Sequence, residues 1–191
     1  MKKLLFFALF LAVGFGVFAQ EPVRNKVDDE EKKALLKQIK EQKKAFVCNF
    51  VEEKWIAVLD ETKISKGTIS YEPSKRLTCE YTEPELLMLC KEADGNLTVT
   101  KNGKPAKANI MHRQMMDMME VFVSGKAVEN SDEYNVDVCS DVKDYIISLT
   151  PKTKQRFCLI ELYLGKDSKR IEKTVLKEAK GDSTVVTMLE P

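Results

Sequence analysis

Residues 66–103 read KGTISYEPSKRLTCEYTEPELLMLCKEADGNLTVTKNG. Short runs with alternating apolar and polar side chains each stop at turn residues. Lys66–Glu72 ends at Pro73-Ser74, and Arg76–Thr82 at Glu83-Pro84-Glu85. Leu86–Lys91 ends at Asp94-Gly95-Asn96, and Leu97–Lys101 at Asn102-Gly103. Period-two runs bounded by Pro, Asn, Asp and Gly are the pattern of an antiparallel meander.

The pattern extends to both sides. Upstream, Phe46, Cys48 and Phe50 alternate with Val47, Asn49 and Val51. Downstream, Glu133–Cys139, Lys143–Leu149, Arg156–Leu164, Arg170–Glu178 and Ser183–Leu189 read as strands. Asp167-Ser168 and Lys180-Gly181-Asp182 turn the last three. A set of about ten strands without βαβ alternation predicts one large antiparallel sheet that curls or closes.

Two stretches break this rhythm. Asp28–Lys44 is predicted helical: Asp28 caps it, Asp29, Glu30 and Glu31 suit the positive end of its dipole, and Lys40, Lys43 and Lys44 the other. Leu35, Leu36 and Ile39 give it a narrow apolar stripe. Asn109–Ser124 is the second helix, capped by Asn109 and ended by Gly125. Arg113, Asp117, Glu120 and Ser124 fall on one stripe; Met111, Met115, Met118, Met119 and Phe122 fall on the opposite one. Methionine adapts to changing apolar partners, so the stripe reads either as a soft lid over a cavity or as ordinary core packing. Thioethers also suit Cu(I), but these sit at core spacing and the neighbouring His112 is the only histidine, so no metal is expected.

The chain has 191 residues, with 31 Lys and Arg against 30 Asp and Glu. Balanced charge argues against a nucleic-acid partner and against an acidic disordered tail. GxSxG, HExxH, P-loop and dinucleotide motifs are absent from the sequence. No catalytic residue and no cofactor is therefore expected, and the reading is of a protein that is not an enzyme.

Residues 1–19 read as a signal peptide. Lys2 and Lys3 precede an apolar run, Leu4–Phe18, that is short of the roughly 20 residues a membrane span needs. Val17-Phe18-Ala19 suits cleavage between Ala19 and Gln20. Residues 20–191 then form a single domain outside the cytoplasm.

Five cysteines follow: Cys48, Cys79, Cys90, Cys139 and Cys158. Export makes disulfides possible, and an odd number leaves at least one thiol over. Cys79 and Cys90 flank the Glu83-Pro84-Glu85 turn and count out to roughly opposite positions, so they are the candidate pair. The other reading is that all five are small buried apolar side chains.

These residues resemble the LolA-like outer-membrane lipoprotein carriers of Gram-negative bacteria. Phe46-x-Cys48-x-Phe50-x-Glu52 follows a helix where that family has Phe-x-Ala-x-Phe-x-Gln. Ser65-Lys66-Gly67-Thr68-Ile69-Ser70-Tyr71, then Arg76-Leu77-Thr78-Cys79-Glu80-Tyr81-Thr82-Glu83-Pro84, matches its most specific block. Asp94-Gly95-Asn96, Leu149-Thr150-Pro151-Lys152 and Gly181-Asp182-Ser183-Thr184-Val185-Val186 fit in order and spacing. Cys79 stands where the family has tryptophan, and an arginine that helps hold the lid closed in that family has no counterpart near Pro73. The resemblance implies a mainly β fold, an incomplete and strongly curved antiparallel β-barrel covered by the N-terminal helix and the methionine helix. It implies a monomeric periplasmic carrier that shields lipoprotein acyl chains between an inner-membrane release complex and an outer-membrane acceptor. Another lipid or glycolipid is the alternative cargo, and a non-carrier secreted interaction domain a third reading. Phe46, Phe50, Ile69, Tyr71, Leu77 and Tyr81 are expected to line the concave side. Met111, Met115, Met118, Met119 and Phe122 are expected to close it.

Overall fold

The computed structural model describes residues 23–41, 44–124 and 132–189, and only the backbone of residues 121, 122 and 124. The expected leader, with its cut between Ala19 and Gln20, lies outside the described residues, as does the side chain of Phe122. The elements are β1 (Asn25–Lys26), α1 (Asp29–Glu41), β2 (Phe46–Ile56), β3 (Glu61–Glu72), β4 (Arg76–Glu83), β5 (Leu87–Glu92), β6 (Leu97–Lys101) and β7 (Lys104–Ala106). They continue with α2 (Ile110–Ser124), β8 (Tyr134–Ser140), β9 (Asp144–Pro151), β10 (Phe157–Gly165), β11 (Ile171–Glu178) and β12 (Ser183–Leu189).

The strands form one sheet in the order β1-β8-β9-β10-β11-β12-β2-β3-β4-β5-β6-β7. Every described pairing is antiparallel. The sheet is open and strongly curled, an incomplete barrel with helices on its inner face. The expected strands are all present. β1 and β7 are short additions at the two edges. The larger surprise is β2–β3, which runs past the predicted ends: Glu52–Ile56 pairs with Glu61–Ser65.

Register explains the core. Cys48, Ile69, Cys79, Leu89 and Val99 are successive partners across β2 to β6. On the other half, Val138, Ile147, Leu162, Thr174 and Val186 are successive partners from β8 to β12. Alternation puts each row on one face, and all of these side chains but Cys48 are buried. That face is where the two helices lie. In α1, Asp28 accepts the backbone N–H groups of Glu30 and Glu31 at 3.0 and 2.8 Å, and Leu35 and Ile39 are buried. In α2, Asn109 Oδ1 accepts the His112 N–H at 2.9 Å, the expected cap.

Gly67 is required where β3 crosses between β2 and β4. A Cβ there would fall on the carbonyl oxygen of Glu80 and against the ring of Phe50. Gly67→Ala should therefore destabilise the fold by about 1–3 kcal/mol through overpacking, read from the urea midpoint at unchanged m.

Candidate functional site

The inner face of the sheet is packed at its centre and open at one end. Over the centre, Met116 and Met119 of α2 are fully buried in the same cluster as Ile69, Cys79 and Leu89. Phe50 and Tyr81 stack edge to face at 5.2 Å within it. At the end where α1 feeds into β2, a cavity of about 640 Å³ remains. Ile39, Phe46, Cys48, Val123, Ile171 and Met188 supply its apolar wall. This volume is in the usual range for a small-molecule pocket, roughly 300–1,000 Å³. A second, more polar cavity of about 440 Å³ lies by the β3–β4 and β5–β6 turns, with Tyr71, Leu77, Lys91 and Glu120 in its lining.

The six sheet residues expected to share a face do share it, but they divide. Phe46 lines the apolar cavity, and Tyr71 and Leu77 the polar one. Phe50, Ile69 and Tyr81 are buried in the packed centre. The methionine stripe is corrected. Met115 and Met118 are half-buried against the core, Met119 is fully buried, and Met111 is 62% exposed and points away. Met116, absent from the expected stripe, is fully buried. At 100° per residue the inward direction is set by Met116, Met119 and Val123, and Met111 falls well off that line.

The candidate disulfide is also corrected. Cys79 pairs in register with Leu89, and Cys90 with Thr78. The two thiols thus lie on opposite faces of the sheet, and all five cysteines are free. Cys79 is buried, which pushes its thiol pKa well up. Cys48 sits in the cavity wall with its Sγ 3.7 Å from Met188 Sδ. Burial raises its pKa, and the nearby Arg170 guanidinium pulls the other way. Among the described residues, no group of three or more His, Cys, Asp or Glu is placed to hold a metal ion.

Three polar features escaped the sequence reading. Lys91 on β5 reaches up to α2, donating to Asp117 at 2.6 Å and to Glu120 at 2.8 Å. Its partial burial lowers the pKa, but the two carboxylates outweigh that and the net shift is upward. On the other flank Arg156 donates to Gln114 of α2 at 2.7 Å and to Glu178 of β11 at 2.8 Å. The helix is thus latched on two sides. Finally, Glu52 stands beside Val186 in the buried row and accepts the Tyr81 hydroxyl at 3.2 Å. Burial pushes the Glu52 carboxyl up, against that hydrogen bond and Lys54. Thr174, next but one in the row, has a buried hydroxyl with no partner among the described residues.

No family model matches the chain, and no curated protein does. Solved structures do match. The crystal structure of MucB superposes with a TM-score of 0.56 at 14% identity, over 83% of this chain and 57% of that one. The fold is shared with MucB. A LolA superfamily protein from Nitrosomonas europaea matches with a TM-score of 0.42 at 10% identity, over 83% of this chain and 91% of that one. An outer membrane lipoprotein-sorting protein domain from Vibrio parahaemolyticus matches at 0.38 and 11%, over 84% of this chain and 89% of that one. At 14% identity the likeness to MucB is one of fold alone. The chain spans little more than half the length of MucB.

Two outcomes test the site. Lys91→Ala should speed amide exchange in Ile110–Ser124 while leaving β2–β4 protected, with a global loss of about 1 kcal/mol because the pair is partly solvated. Glu52→Gln should raise Tm at neutral pH. A carboxyl whose folded pKa is raised contributes its full stability below the unfolded value and loses it as pH rises through the folded one, so the gain should vanish in acid.

Proposed function

We propose that the protein is a carrier, not an enzyme: it acts in the periplasm, shelters lipoprotein acyl chains, and moves them from the inner to the outer membrane. The observation that supports this most is the apolar cavity between the sheet and the ends of α1 and α2. An acyl chain in water loses about 0.8 kcal/mol per exposed CH₂, so a diffusing carrier must supply a dry wall. Phe46, Cys48, Ile39 and Met188 supply one here. The cavity takes the first part of a chain. Further chain length requires α2 to lift, because Met116 and Met119 fill the space over Phe50, Ile69 and Tyr81. Met115 and Met118 would then slide against the cargo, since thioether side chains repack without directional demands. The polar latches of Lys91 and Arg156 suit such a helix: they orient the closed state, and water replaces them readily in the open one. The release complex and acceptor that the LolA resemblance implies would act on this helix.

A second cargo, another lipid or glycolipid, is favoured by the charged mouth of the cavity. Mass spectrometry of the chain purified from its native envelope separates the two. A triacylated polypeptide would support the first reading, a free lipid the second, and no acyl-bearing cargo would overturn the carrier reading. Cys48→Phe fills the cavity wall. It should cut uptake of a fluorescent acyl probe about tenfold, the worth of losing one or two buried methylenes, with an unchanged circular dichroism spectrum.

A further inference from the structure

The strands that wall the apolar cavity change character along their length. Ile171 of β11, Met188 of β12 and Cys48 of β2 belong to the cavity wall. Toward the other end of these strands the inner face turns polar. Thr174 pairs in register with Val186, and Val186 with Glu52. Two residues further on, Leu176 pairs with Thr184, and Thr184 with Lys54. Thr174 and Thr184 are buried, at 0% and 7% exposure. The Glu52 carboxylate accepts the Tyr81 hydroxyl at 3.2 Å. Thr174 differs: its Oγ1 is buried and has no hydrogen-bond partner among the described residues. A buried hydroxyl without a partner is a net cost to the folded chain, and an apolar group of the same shape would remove that cost. The hydroxyl is on the face against which α2 lies, because α2 packs on β11.

The inner face is therefore amphipathic along the strands, apolar at the cavity and polar beyond it. Cys48 and Glu52 are separated by about 13 Å of strand, enough for much of an acyl chain. We propose that this row is the headgroup subsite of the carrier: the chain of the cargo lies along Phe46, Cys48 and Met188, and a neutral hydroxyl-bearing headgroup, glyceryl or sugar, hydrogen-bonds Thr174 and Glu52 once α2 lifts. A hydroxyl both gives and takes a hydrogen bond, so it suits the Thr174 hydroxyl and the Glu52 carboxyl alike. A charged head fits less well, since Glu52 opposes an anion and Lys54, on the same face, opposes a cation. The inference rests on the carrier reading and deepens it, by stating which way the cargo lies and which side chain selects its head.

The test is displacement of a fluorescent acyl probe from the full chain by monododecanoylglycerol, dodecyl maltoside and methyl dodecanoate, which share a chain and differ in head. The glyceryl ester or the maltoside should bind about tenfold more tightly than the methyl ester, as expected for one or two neutral hydrogen bonds. The tighter of the two identifies the head as glyceryl or sugar. Thr174→Val should remove the preference, with methyl ester binding unchanged and Tm no lower, and Thr174→Ser should keep it. Cys48→Phe should weaken all three lipids alike, because it acts on the chain and not on the head. Equal binding of the hydroxylated lipids and the methyl ester would overturn the proposal while leaving the carrier reading intact, and so would a preference that survives Thr174→Val. A lower Tm for Thr174→Val would overturn it too, by showing that the hydroxyl already has a partner in the empty protein. Failure of the probe to bind would remove the carrier reading and this inference with it.

Discussion

An open, curled sheet of twelve strands has an inner face that nothing in the sheet itself can cover. Alternation along each strand loads that face with Phe50, Ile69, Cys79, Leu89, Ile147, Leu162 and their neighbours, and water must be kept off all of them. Two helices, α1 and α2, do this. The rest of the molecule follows from how far that cover reaches. Where α2 crosses β4, β5 and β11, its Met116 and Met119 fill the space. Near the ends of α1 and α2, an apolar cavity remains against the sheet.

The cover is held by two kinds of force with different reversibility. Burial of methionine against the sheet is broad and tolerant of shape. The contacts of Lys91 with Asp117 and Glu120, and of Arg156 with Gln114, are directional, but two of these three lie at the exposed surface. Such contacts fix an orientation at small net cost in free energy. A helix attached this way can sit in one place at rest and still leave it. Glu52 and Thr174 add a polar element to the buried row, and both weaken packing there relative to an all-apolar row.

Much of the architecture was legible in the chain. The turns after Glu72, Lys101 and Glu178 announce themselves through Pro73-Ser74, Asn102-Gly103 and Gly181-Asp182. Gly103 and Gly181 have the positive φ values, 74° and 96°, that such turns demand. The β2–β3 turn announced nothing. It is made of Ala57, Val58, Leu59 and Asp60, and Val58 is 87% exposed. Apolar residues at a turn give no punctuation, so the pairing of Glu52–Ile56 with Glu61–Ser65 could not be read. The methionine helix was found by its period, but its inward direction was misjudged by about one residue. With five methionines within nine positions, composition offers several stripes, and only contact with the sheet selects Met116.

Local rules acting on neighbours in sequence settled the strands, the two helix caps and the shared face of Phe46, Phe50, Ile69, Tyr71, Leu77 and Tyr81. The strands, the caps and the alternation within each strand depend on residues within a few positions of one another, while register brings the three strands' apolar sets onto one face. Tertiary structure alone decided which of those six line open space and which are packed shut. It also put Cys79 and Cys90 on opposite faces, joined Lys91 to α2, and gathered Lys44, Lys169 and Arg170 at one mouth. Those outcomes depend on register and on groups more than twenty residues apart, or on a shift of one residue that reverses a face. Period-two alternation fixes which side chains share a side, but not what stands across from them.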